Sequence, residues 1–262
     1  MNFVEVNGTA LRYELSGSGG STLVLIHEMG GTLESWDMVL PRFSLKRRVL
    51  RYDTRGAGLS QKVRGALTID TMADDLVSLM DTLGITGKVA LAGVAVGGAI
   101  ALHTAVRHPQ RVAAVIASSP AVSIAPDRRP ALLSRVEKME REGLNAVLDT
   151  LDNGYPVELR GDAERFSAFR ARWLGSDPDS FGAIYRMLIN TDLLPELSHI
   201  ACPVLVTSGA LDRVRPPQLV EPVARAISGA RYTVIEAGHY APVQTPELYA
   251  RTLGEFLDAV GA

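Results

Sequence analysis

The stretch Val89-Ala90-Leu91-Ala92-Gly93-Val94-Ala95-Val96-Gly97-Gly98-Ala99-Ile100 decides the fold. Its first half is continuously apolar, as expected of a strand covered on both faces, and its second half reads as an apolar helix. Gly93 and Gly97 bracket the change of direction and leave room for a sharp turn. A strand, a glycine-flanked turn and a helix are the setting of a nucleophile elbow, G-x-S-x-G. Such an elbow lifts its central side chain above the sheet at the positive end of the helix. The central residue here is Ala95. A methyl group can neither attack a carbonyl nor donate a proton, so the scaffold lacks the nucleophile it is shaped to hold. Taken alone, the segment reads equally well as a tight turn of small residues made for packing.

Working outward, similar runs rich in Val, Ile and Leu occupy 22–27, 49–52, 112–118, 204–208 and 232–235, with helical patterns between them. In the clearest of these, Ile69, Met72, Leu76, Met80 and Leu83 fall on one buried stripe. Thr245-Pro246-Glu247 announces the last helix with a capping residue and a proline at the first helical position. The alternation predicts an α/β fold built on a doubly wound, mostly parallel sheet. Asn7-Gly8 adds an antiparallel hairpin over 2–15 at the sheet's edge. From 121 to 200 no strand-like run occurs. Helical patterns at 135–141, 144–151, 163–173 and 180–189 are broken by Asn153-Gly154 and Gly175-Ser176-Asp177-Pro178. Residues 1–120 and 201–262 therefore read as the core. Residues 121–200 read as a helical cap inserted after the sixth strand, a simpler account than a separate partner-binding module.

The 262 residues carry 27 Lys+Arg against 29 Asp+Glu, a net charge of −2, which gives no basic surface for nucleic acid or membrane. With 47% hydrophobic and 21% charged residues the chain can bury a core, and its apolar runs fall far short of the ~20 residues that span a bilayer. The lone Cys202 cannot form an internal disulfide and reads as an inert buried thiol, and the first residues lack a signal-peptide pattern; the expected location is cytoplasmic. Gly17, Gly19 and Gly20 precede a strand and so make no dinucleotide fingerprint. His103 and His108 are five apart, and no Cys or His pair has zinc spacing. The expectation is that no metal or organic cofactor is needed and that the partner is a small molecule. The oligomeric state stays open.

What decides the elbow's meaning is the rest of the chain. In the order nucleophile, acid, base, an acid should follow a late strand, and Asp212 sits just past the run at 204–208. A base should follow the last strand, and His239 stands there after Gly238, directly before a helix. An isolated loop Asp is usually solvated and a His beside Gly is often a turn residue, but their joint order points to catalysis.

With these residues the chain resembles the α/β-hydrolase superfamily over essentially its whole length, most closely the 3-oxoadipate enol-lactonases and their esterase-like relatives. The likeness rests on Arg51-Tyr52-Asp53-Thr54-Arg55-Gly56-Ala57-Gly58-Leu59-Ser60, on the elbow followed by His108-Pro109 and Arg111-Val112, and on Gly238-His239. It implies that His239 is a general base oriented by Asp212, that a serine is expected at 95, and that the backbone N–H groups of Met29 and Val96 form an oxyanion hole. Two such donors can each contribute about 3 kcal/mol of barrier lowering.

His27-Glu28-Met29-Gly30-Gly31 departs from the commoner His-Gly pattern. Glu28 has two readings, turned out to solvent or hydrogen-bonded to a substrate amide or hydroxyl; in the pocket it would repel an anionic lactone. His27 reads as a brace for the loop, and Arg55 as a strut. Tyr155, Arg170, Trp173 and Tyr185 are candidates for lining the pocket from the cap, although aromatics at helical spacing more often pack cap to core.

Three accounts of Ala95 compete. It replaces serine deliberately, leaving a substrate-trapping form; or it marks a natural non-catalytic binder; or the chemistry bypasses residue 95. The intact glycines, acid, base and loop favour the first. The expected activity of the serine form is hydrolysis of a small carboxylic ester, lactone or amide through an acyl-enzyme. A carbon–carbon bond hydrolase or a cofactor-free perhydrolase on the same fold is the alternative, sharing the triad and differing in pocket shape.

Overall fold

A computed structural model describes residues 2–262. In chain order the elements are β1 (Asn2–Val6), β2 (Thr9–Ser16), β3 (Thr22–Ile26), α1 (Leu40–Ser44), β4 (Arg48–Tyr52), α2 (Ile69–Thr82), β5 (Val89–Val94), α3 (Val96–Arg107) and β6 (Val112–Ser118). Then come α4 (Arg129–Glu142), α5 (Leu148–Gly154), α6 (Ala163–Leu174), α7 (Pro178–Asn190), β7 (Val204–Gly209), α8 (Pro217–Arg225), β8 (Arg231–Ile235), α9 (Ala241–Gln244) and α10 (Pro246–Val260). The strands form one sheet in the order β1-β2-β4-β3-β5-β6-β7-β8. The pairs β1/β2 and β2/β4 are antiparallel and every later pair is parallel. The doubly wound sheet with an antiparallel start is thus the one the apolar runs predict. Asn7 and Gly8 both take positive φ, 46° and 71°, as a two-residue hairpin turn requires.

β5 lies between β3 and β6, and all six of its residues are buried. Alternate residues face opposite ways. Val89 and Leu91 join the core shared with α2, α3 and α8, whereas Ala90, Ala92 and Val94 join the core shared with Trp36 and α10. This two-sided burial is why the strand is apolar without alternation. Its carboxyl end therefore points out of a rigid layer.

Residues 121–200 contribute no strand to the sheet. Helices α4–α7 build a third core from Val136, Met139, Leu151, Tyr155, Phe169 and Trp173, which also takes in Tyr240 and Val243 from beyond β8. Several polar ties hold the insertion to the core, among them the Val63 N–H donating to Ser180 Oγ at 2.9 Å, the His239 N–H and Gln244 Nε2 donating to Gly154 O at 2.9 and 2.8 Å, and Arg64 paired with Asp177 at 2.8 Å. Among the described residues no helix is long and apolar enough to cross a membrane.

Some local expectations change. Asn153 and Gly154 end α5, so the break falls where the sequence places it, although both residues belong to the helix's last turn. α4 begins at Arg129, with Pro130 in its first turn, six residues before the periodicity shows it. Thr245 occupies the position before Pro246 but makes no cap; its hydroxyl turns back to Ala241 O. Cys202 is half-buried rather than enclosed, and burial pushes its thiol pKa up.

Candidate active site

β5 ends at Val94 and α3 begins at Val96, so the chain reverses through Ala95 alone. That residue has φ 51° and ψ −110°, a conformation that costs a residue with a Cβ about 1–3 kcal/mol. Three backbone hydrogen bonds hold it: Ala95 N–H to Ser118 O at 2.9 Å, and Ala95 O accepting from Ala99 at 3.1 Å and Ala121 at 3.0 Å. The flanking glycines are needed for close approach. A Cβ on Gly93 would lie 2.1 Å from Gly97 O, and one on Gly97 would lie 2.1 Å from Ile26 O. Helix α3 thus packs directly on the ends of β3 and β5.

Asp212 follows β7 and His239 follows β8, and the two meet at the same edge. His239 Nδ1 lies 2.7 Å from Asp212 Oδ2, both residues being buried. Asp212 Oδ1 accepts the N–H groups of Val214 at 2.8 Å and Arg215 at 2.9 Å, which fixes the carboxylate plane. Burial by itself would raise the pKa of Asp212. The charge and hydrogen bond of His239, with the Arg215 N–H and the Ser119 hydroxyl, outweigh it and hold the carboxyl below its ordinary range. The ring of Tyr240 stands edge-on to the imidazole, centroids 5.2 Å apart.

Ala95 and His239 line one cavity of about 270 Å³, small for a ligand pocket. Met29 and Val96 line it from the core and Trp173, Phe181 and Tyr185 from the insertion. Val96 is the first residue of α3, where an N–H has no helical partner. Among the described residues, neither its N–H nor that of Met29 donates to a backbone carbonyl in a loop, turn or cap.

The remaining sequence candidates divide. Trp173 and Tyr185 line the cavity, whereas His27, Glu28, Tyr155 and Arg170 do not. His27 is enclosed, with Nδ1 2.7 Å from Glu28 O, and Nε2 accepts the Thr54 N–H at 3.0 Å. That makes it a brace between two loops. Glu28 is neither turned out to solvent nor aimed at a ligand. It is 1% exposed, Oε1 accepts the Ser35 hydroxyl at 2.7 Å, and Oε2 is buried without a partner. Gly31 makes room for it, since a Cβ there would lie 2.3 Å from Oε1. Tyr155 is buried against Phe166, Phe169 and Tyr240, an aromatic cluster that seats the insertion on the core. Arg55 bonds Asp75 and Asn7 O, the strut expected of it.

Sequence reasoning overlooked Tyr240, Arg128 and Arg215, all of which line the cavity. Arg215, three residues past Asp212, was open to notice because Asp212 is the sole carboxylate within four residues of it. Burial pushes its guanidinium pKa down to about 10; Asp212 opposes the shift and Arg128 adds to it. No group of three or more His, Cys, Asp or Glu able to hold a metal occurs among the described residues.

Comparison with known proteins matches residues 20–239 to the family described as serine aminopeptidase, S33. A 3-oxoadipate enol-lactonase 2 from Acinetobacter baylyi is 26% identical over 243 residues, 92% of this chain and 90% of that protein. Among solved structures, the enol-lactonase from Burkholderia xenovorans superposes with a TM-score of 0.91 at 29% identity, covering 98% of this chain and all of the other. A malate-bound thermophilic esterase from Thermogutta terrifontis gives 0.92 at 28% identity, with both chains covered in full.

Proposed function

The chain belongs to the serine aminopeptidase S33 family of α/β-hydrolases, and on that premise we propose that it is a Ser-His-Asp hydrolase of small carboxylic esters, lactones or amides in a form whose nucleophile is replaced by alanine. The observation that carries this reading is the backbone of Ala95. A residue with a Cβ is held at φ 51° in a cavity that also holds His239 paired to Asp212. Glycine would occupy the same turn at lower cost, so the strain marks a seat shaped for a side chain. The relatives named as enol-lactonases and an esterase support the substrate range.

In the serine form, Oγ at 95 attacks the acyl carbon while His239 Nε2 takes its proton. Asp212 keeps Nδ1 protonated and stabilises the imidazolium. The oxyanion rests on the N–H groups of Val96 and Met29, and the proton returns from His239 to the leaving group. Water, activated by His239, then releases the acid. Helices α4–α7 serve as a cap whose aromatic side chains exclude water from the acyl group. The alanine form binds the same substrate and does not acylate.

The test is Ala95→Ser assayed against small esters, lactones and amides. Loss of the nucleophile in a serine hydrolase costs about 10⁶ in kcat, so the expected gain approaches that factor on the best substrate. A serine variant with no activity above the alanine chain contradicts the reading. A compound bound tightly by both forms and hydrolysed by neither would make the chain a receptor.

A further inference from the structure

The hydrolytic steps give Glu28 no task, yet it is costly to keep. Its carboxyl group is buried, Ser35 Oγ donates to Oε1 at 2.7 Å, and Oε2 meets no donor among the described residues. Taking a carboxyl group out of water for a single neutral hydrogen bond is a net loss of stability. What the group does is hold a turn. The Gly31 N–H donates to Glu28 O at 3.0 Å and Gly30 takes φ 78°, so residues 28–31 fold back on themselves with Met29 at the first corner. The turn is gripped twice. A Cβ on Gly30 would lie 2.4 Å from the Trp173 ring, and one on Gly31 would lie 2.3 Å from Glu28 Oε1. Ser35 itself belongs to the short helical turn Leu33–Trp36. That turn is fixed to β4 and the residue after it: the Leu33 N–H donates to Asp53 Oδ1 at 2.8 Å, and Arg51 Nη1 donates to Leu33 O at 3.0 Å. The bonds therefore run from β4 through Leu33 and Ser35 to Glu28, one residue before Met29.

We infer that Glu28 is a positioning residue: bonded to Ser35, its side chain fixes the 28–31 turn and so sets where the Met29 N–H points. The role of that N–H as an oxyanion donor rests on the hydrolase reading; the anchoring of the turn does not. Val96, the other donor, opens a helix packed on the sheet, whereas Met29 lies between β3 and the turn Leu33–Trp36, in neither strand nor helix. It needs an anchor of its own. An oxyanion donor works by standing in place before charge develops, and about 1 Å of misplacement can cost 100-fold in rate. His27 fixes the entry of the turn, where Nε2 accepts the Thr54 N–H, and Glu28 fixes its body. The working part is the bond and not a charge, because a negative charge one residue from an oxyanion donor would oppose the oxyanion.

Two measurements test it. In the Ala95 chain as it stands, the Met29 amide should give one sharp nuclear magnetic resonance signal, and it should do so in Glu28→Gln, whose amide oxygen still accepts the Ser35 hydroxyl. Glu28→Ala and Ser35→Ala should broaden or split that signal. In the Ala95→Ser background, each of these two alanine variants should lower kcat about 100-fold with KM little changed, and the pair combined should lose no more than one alone. Glu28→Gln should restore most of kcat. A residue that only stabilises the fold would lower the melting temperature and leave the Met29 signal and the kcat of the folded enzyme as they were; that result overturns the inference. So does a glutamine variant as poor as Glu28→Ala, or losses from Glu28→Ala and Ser35→Ala that multiply. If Glu28→Ala does not fold, Ser35→Ala and Glu28→Gln decide. If Ala95→Ser is inert, the hydrolase reading falls and the Met29 signal decides the anchor by itself. If Ala95→Ser is active and both alanine variants match it, the anchor falls and the hydrolase reading stands.

Discussion

The carboxyl edge of the sheet and the wall contributed by 121–200 are built on opposite principles. At the sheet edge, backbone meets backbone at distances that exclude even a methyl group at Gly93 and Gly97, and both oxygens of Asp212 are bonded. In the insertion, contact around the cavity is made by large rings, Tyr155, Phe169, Trp173 and Phe181, with polar ties to the core beside them. Directional bonds fix a reacting geometry to fractions of an ångström, whereas ring packing tolerates exchange of shape. On this account the sheet edge sets the chemistry and the insertion sets which small molecule reaches it.

The largest expected effect separates the two. In the Ala95→Ser background, His239→Ala should cost about 10⁶ in kcat and Asp212→Asn about 10⁴, measured on one reactive ester, while Trp173→Leu should change the order of preferred substrates more than the best kcat. An equal loss from Trp173→Leu would break the division. Next, Phe169→Ala should destabilise by about 3–4 kcal/mol through a cavity between Tyr155 and Tyr240, with proteolysis beginning in 121–200. Cleavage starting in the core would contradict it.

Gly97→Ala should cost about 3 kcal/mol in denaturant unfolding, because the new methyl meets the Ile26 carbonyl, which cannot swing away as a side chain can. Acid sharpens the contrast further. Asp74, beside Arg107 and His108, is held to about 2 in the core. Asp177 on the insertion is also held to about 2, the bonds from Arg64 and Ser180 outweighing burial. Carboxyls depressed when folded contribute stability above their unfolded pKa of about 4 and lose it as pH falls from there towards 2. Circular dichroism should therefore show little change from pH 7 to 5 and unfolding below about 4; a loss already near pH 6 would contradict these pairings. Smallest, Ala95→Gly should stabilise by about 1 kcal/mol by relieving the positive φ.

How much of this was legible in the sequence follows from what carries each feature. β5 and its turn could be read because two-sided burial removes alternation and because a one-residue reversal demands glycine at fixed distances. Asp212 and His239 could be read because strand ends fix where loop residues emerge. Glu28 could not be, since the direction of a loop side chain has no period: only coordinates show Ser35 and Gly31 shaping a buried niche for it. Arg215 could be noticed for its nearness to Asp212, but its place on the cavity wall could not, because sequence shows neighbours along the chain and not what packs around a guanidinium. Thr245 has the composition of a cap and not its geometry, because the turn of α9 takes its hydroxyl first.

The claim on which the rest depends is that residue 95 occupies a nucleophile's seat. Its most direct test is the intact mass of Ala95→Ser after brief exposure to a small alkyl fluorophosphonate, with the alanine chain as control. The account predicts one added phosphonyl group, mapped by peptide sequencing to position 95 and lost when His239 is also replaced by alanine. No adduct, or an adduct on both chains, would contradict it.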